Sequence, residues 1–152
     1  TMTRQLPVKH LMVLVDGTDA SCRAVDQAIE MACLLPARLT ALALAETDTL
    51  HQLLSARILT PAEMAEFEEG LRDSARRQLD EVRDRASGKG LEIETLFAEG
   101  NSEVVLPAEV RARAVDLVVV GYFDSSHAQR DLLDRQRQQV VDHAPCPVLV
   151  AR

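Results

Sequence analysis

Leu11-Met12-Val13-Leu14-Val15 is a short run without a polar position. Successive side chains of a strand point to opposite faces, so this run needs apolar cover on both sides. Such strands belong in the interior of a parallel sheet that carries helices on each face. A second apolar run, Leu117-Val118-Val119-Val120-Gly121, makes the same demand and places another strand over residues 115–120.

The segments between these runs supply the cover. Asp16-Gly17-Thr18-Asp19 is a turn with helix-capping chemistry, and Cys22, Val25, Ala28, Ile29, Ala32 and Cys33 then recur at helical spacing. Pro36 marks the stop. Residues 39–45 are short, mostly apolar and follow a helix, which favours a strand. Residues 46–59 are polar and read as a mobile excursion over the sheet edge. Thr60-Pro61-Ala62-Glu63 starts a helix, with Thr60 as cap, proline in the first turn and Glu63 completing a capping box. Met64, Phe67, Leu71, Ala75, Leu79, Val82 and Ala86 extend it as a core-facing stripe for about 25 residues, to a stop at Gly88-Lys89-Gly90.

Residues 91–97 alternate and suit a strand near an edge. Asn101 caps the next helix, with Glu103 in its first turn, and Pro107 should kink that helix or delay its start. Residues 126–143 are polar and helix-prone, and residues 148–151 form the last strand. Five strands thus alternate with four helices. Right-handed crossovers turn this pattern into a single α/β domain over residues 1–152, a doubly wound, Rossmann-like five-stranded parallel sheet. Ligands of such sheets bind beyond the C-terminal strand ends where the strand order reverses. The candidate positions are Val15-Asp16-Gly17 and Val120-Gly121-Tyr122.

Composition narrows the function. The chain has 152 residues and is 47% hydrophobic, enough for a real core. With no Trp, one Tyr and three Phe, it offers almost no platform for stacking nucleobases. A formal charge of −7 disfavours nucleic acid and anionic membranes, and no apolar run approaches the ~20 residues of a membrane span. Residues 1–10 are polar and lack an apolar signal core. Cys22, Cys33 and Cys146 form no CxxC pair and no disulfide framework, which points to reduced thiols and a cytoplasmic location. Cys146 lies between two prolines and reads as structural. His10, His51, His127 and His143 show no metal-site spacing, and neither a GxSxG elbow nor an HExxH motif occurs. The charges from Arg72 to Arg85 alternate in sign at helical spacing and describe a solvated face. No catalytic constellation emerges, so the expectation is a protein without enzymatic activity.

Three fragments appear in a telling order: Val13-Leu14-Val15-Asp16-Gly17-Thr18, then Glu99-Gly100-Asn101, then Ala114-Val115-Asp116-Leu117-Val118-Val119-Val120-Gly121. The closing His143-Ala144-Pro145-Cys146-Pro147-Val148-Leu149-Val150 is the most specific. With these residues the chain resembles the universal stress protein family over nearly its whole length. The resemblance implies strand order 3-2-1-4-5 and a homodimer formed by the last strands pairing across a two-fold axis. Val148, Leu149 and Val150 supply a physical motive, because an apolar edge strand is a liability unless paired.

ATP-binding members of that family carry a loop of the form Gly-x2-Gly-x9-Gly-Ser/Thr after the fourth strand. Glycines let backbone amides approach phosphates, and a hydroxyl completes the cradle. Gly121 keeps the first position, but Asp124 and Asp134 stand at the other two glycine positions and Arg135 at the Ser/Thr position. A carboxylate ~6 Å from a phosphate charge opposes it by roughly 1–3 kcal/mol at intermediate dielectric. Arg130 and Arg135 offset part of this. Ser126 with Gln129 forms a capping box, so the former loop is expected to be a helix starting near Ser126. Asp16 matches the family position that contacts the adenosine part of a nucleotide. It also explains itself without a ligand, as the residue that ends the first strand and orders the next turn, and this second reading is preferred. The resulting expectation is a stress-response homodimer without a cofactor, acting through an unidentified protein partner. The alternative is a regulatory module that binds ATP, AMP or a cyclic nucleotide at Asp16 and Gly121 despite its atypical loop.

Overall fold

The computed structural model describes residues 8–123 and 132–152. In chain order its elements are β1 (His10–Leu14), α1 (Asp19–Leu34), β2 (Arg38–Glu46), α2 (Asp48–Ser55) and α3 (Pro61–Gly88). β3 (Glu94–Gly100), α4 (Ser102–Ala112), β4 (Leu117–Gly121), α5 (Leu132–His143) and β5 (Val148–Ala151) follow. The five strands form one sheet in the order β3-β2-β1-β4-β5, and every pairing is parallel.

The apolar runs do what their pattern requires. Leu11, Val13 and Val15 join a core cluster with α1 and α3 residues such as Val25, Ile29, Leu79 and Val82. Met12 and Leu14 face the other way, into a cluster with Leu106, Val110 and Val140 from α4 and α5. β1 and β4 lie in the middle of the sheet, and residues 11–14 and 118–120 are essentially without solvent contact. The sheet therefore holds the C-terminal ends of β1 and β4 side by side, with Val13 opposite Val119.

The capping signals are observed in atomic detail. Thr18 Oγ1 accepts from the Ser21 amide at 3.1 Å, and Asn101 Oδ1 accepts from the Glu103 amide at 2.9 Å. Thr60 Oγ1 accepts from the Glu63 amide at 3.1 Å while Glu63 Oε1 accepts from the Thr60 amide at 3.2 Å, the reciprocal box that starts α3.

Five local expectations need correction. In the α3 stripe Phe67 and Leu71 are exposed, and only Met64, Ala75, Leu79, Val82 and Ala86 are buried. Residues 46–59 contain a fifth helix, α2, whose Leu50, Leu53 and Leu54 recur at helical steps. The third strand begins at Glu94 because the Leu91 amide still bonds to Ala86 O at the exit of α3. The fourth begins at Leu117, since Asp116 is occupied below it, accepting from the Lys9 and His10 amides at 2.8 and 3.0 Å. Pro107 does not delay α4. The Asn101 cap fixes the start at Ser102, and the helix runs through a buried Pro107 to Ala112. The expected helix start near Ser126 lies outside the described residues.

Candidate functional site

β1 ends against a turn in which almost every polar group has a partner. The Asp16 amide donates to Ser21 Oγ at 3.0 Å. Asp16 Oδ1 accepts from the Thr18 amide at 3.1 Å and from the Thr18 hydroxyl at 2.6 Å. Gly17 takes φ +80°, a left-handed conformation that suits glycine, and lies under the amide of Gln78 from α3. These bonds order the loop between β1 and α1 with groups of the chain alone.

The other carboxylate oxygen of Asp16 meets α5. Arg137 Nη2 donates to Asp16 Oδ2 at 2.7 Å and to Thr18 Oγ1 at 2.7 Å, and Nη1 donates to Asp134 Oδ1 at 3.0 Å. The Asp16 and Arg137 side chains are each only 5% exposed, and Asp134 is 23% exposed. The Nε of Arg137 is buried with no acceptor among the described residues. A charge pair this dry owes its stability to close geometry and extra hydrogen bonds, and removing one partner of such a pair costs about 3–5 kcal/mol.

Neighbouring residues tie α5 down further. Gln136 is buried, and its Nε2 donates to Leu44 O at the end of β2 at 3.0 Å and to Ser102 Oγ at 3.4 Å. The Ser102 amide and hydroxyl both donate to Glu46 Oε2. Gln139 Nε2 reaches Glu103 Oε1 at 3.0 Å. The helix that follows β4 is thus attached to the ends of β1 and β2 and to the start of α4.

Gly121 ends β4. A Cβ added there would sit 2.6 Å from the backbone carbon of Ala20 and 2.7 Å from its oxygen. The glycine lets the first turn of α1 approach the sheet, a packing role that needs no ligand. Beside Asp16 lies a cavity of about 130 Å³ walled by Val15, Leu44, Leu71, Gln78, Phe97 and Leu133. Typical small-molecule sites run to ~300–1,000 Å³.

The sequence-derived positions therefore divide. Asp16 and Asp134 come together on Arg137, and Gly121 stands at the neighbouring strand end. Asp134 and Arg135 lie at the start of α5, and Asp124 lies outside the described residues. Val148, Leu149 and Val150 pair with Val118, Val119 and Val120, and β5 has no second neighbour among the described strands. Sequence reasoning missed Arg137. Its sign was available: Leu133, Gln136, Arg137, Val140 and Ala144 recur at three- and four-residue steps, which puts a charge on the inward face of α5.

The remaining chemistry is sparse. No group of three or more His, Cys, Asp or Glu among the described residues could hold a metal ion. His10 is buried at the N-terminal end of β1, with Nε2 2.7 Å from Thr40 Oγ1 and Nδ1 2.8 Å from Arg113 O. Burial pushes the Cys146 thiol above its ordinary pKa, a hydrogen bond with the Val118 backbone works against this and the Asp116 carboxylate adds to it, which favours the thiol over the thiolate. Among the described residues no helix is long and apolar enough to cross a membrane.

Comparison with known proteins agrees with this architecture. The model of the Universal stress protein family matches residues 7–152. A universal stress protein of Bacillus subtilis, YxiE, is 26% identical over 147 residues, covering 93% of this chain and 97% of its own. A solved universal stress protein in complex with cAMP superposes with a TM-score of 0.70 at 24% identity, covering 97% of this chain and 98% of its own. An Arabidopsis thaliana universal stress protein family member with AMP bound gives 0.65 at 16% identity, covering 94% and 90%.

Proposed function

The chain belongs to the universal stress protein family, and we propose that it is a member that does not use ATP and acts in stress tolerance through protein contacts. The observation that carries this reading is the Arg137–Asp16 pair. It spends the one carboxylate at the end of β1 on an internal partner, in the crevice where a sheet of this topology would receive a ligand. Asp134 stands beside it, and Asp124 adds a second carboxylate where amide-lined glycine turns serve phosphate in ATP-binding relatives. On this reading the protein has neither cofactor nor enzymatic activity, and it works in the cytoplasm.

The partner surface begins with a second copy of the chain. β5 is a short edge strand of apolar residues, and Val150 is 37% exposed. Edge-to-edge pairing across a two-fold axis would satisfy its free backbone groups and cover that side chain. A further protein would then be bound by the dimer.

The second reading is a nucleotide-responsive regulator, favoured by the cAMP and AMP held by two structural neighbours. Restoring glycine separates the two. Asp124→Gly combined with Asp134→Gly restores glycine at both altered glycine positions of the loop pattern. A gain in affinity for ATP with magnesium supports an acidic block. Micromolar ATP binding that is the same before and after the substitutions contradicts it.

A further inference from the structure

We propose that Arg137 is the residue that closes the switch-point crevice and sets which ligands it admits. This rests on the reading that the protein does not use ATP, and adds to the acidic residues at 124 and 134 a second cause, the guanidinium held on Asp16. The crevice lies between the ends of β1 and β4, where strand order reverses. Asp16 is its acceptor at the β1 end. Arg137 Nη2 stands 2.7 Å from Asp16 Oδ2 and 2.7 Å from Thr18 Oγ1, while the other Asp16 oxygen is held by the Thr18 amide and hydroxyl. Both oxygens of the carboxylate therefore have donors. With the Asp16 side chain only 5% exposed, a hydroxyl or amine of an incoming ligand would have to compete with the guanidinium for Oδ2 and open the buried pair to reach it.

Displacement is opposed from three sides. The pair is buried, so a departing Arg137 would leave a desolvated carboxylate behind. Gln136 and Gln139 tie the same helix to β2 and α4, so α5 does not swing away without breaking those bonds. Asp134 holds Nη1, which fixes the plane of the guanidinium. An arginine in such a crevice would ordinarily offer a forked donor to phosphate. Here Asp16 and Asp134 each take a terminal nitrogen, so its charge is answered from within the chain, while the buried Nε has no acceptor among the described residues. The guanidinium is an internal substitute for the polar edge of a ligand.

Adenosine is the suitable probe, because it carries no phosphate and does not meet the acidic positions as a charge. The unmodified protein, Arg137→Met and Arg137→Gln are titrated with adenosine by calorimetry, after circular dichroism has shown each to be folded. The substituted proteins should bind adenosine about tenfold or more tightly than the unmodified protein. Arg137→Gln removes the charge and shortens the side chain while staying polar, and provides the same comparison if the methionine variant does not fold. A folded variant that binds no more tightly than the unmodified protein overturns the proposal, as does unmodified protein that already binds adenosine equally well. Neither result touches the ATP reading, which fails separately if the unmodified protein binds ATP at micromolar concentration.

Discussion

At the scale of single residues, one position can look like a ligand residue and be a packing residue. Gly121 holds the first glycine position of a phosphate loop, yet the space a side chain would need is filled by the backbone of Ala20. Overpacking against backbone has little room to relax, so Gly121→Ala should destabilise the fold by about 1–3 kcal/mol in chemical denaturation. A stability unchanged within error would show that α1 can withdraw and that the glycine was kept for another reason. Asp16 shows the same duality. Its bonds to Thr18 order the turn, and its bond to Arg137 joins that turn to α5. The first contact is local, two residues along the chain, whereas the second is not visible in the local sequence, because the arginine lies 121 residues away.

At the scale of elements, the sequence was most legible where one local rule acted without competition. The start of α3 needs only Thr60, Pro61 and Glu63. Thr60→Ala should therefore cost about 1 kcal/mol, with the melting transition lowered and the fold retained. The central strands were equally plain, because a run apolar on both faces has few other places to go. Legibility failed where tertiary contacts decide. β3 slid three residues toward its C-terminus because the exit of α3 claims Leu91 and the register with β2 begins at Thr40 opposite Glu94. α2 was missed because its leucines are only half-buried and its polar flanks resemble a loop. In the candidate site, Asp16, Gly121 and Asp134 could be found by position in the chain. Arg137 could be found only by asking why a charge sits on the inward face of a helix.

At the scale of the whole molecule, the sheet keeps the topology that receives ligands in doubly wound folds, while its crevice is bridged from within. On the proposed reading its function falls to its surfaces. Val148 and Leu149 pack toward the helical layers, whereas Val150 is the more exposed residue of β5. If the chain pairs through β5 as proposed, Val150→Lys should yield a folded monomer in light scattering where the unmodified protein is a dimer, since a charged edge resists strand pairing. A dimer of unchanged mass would place the interface elsewhere. The central claim is that the crevice does not take ATP, and it is tested most directly by titrating the unmodified protein with ATP and magnesium in a calorimeter. No saturable heat is expected at micromolar protein. A saturating isotherm with a micromolar dissociation constant would contradict it.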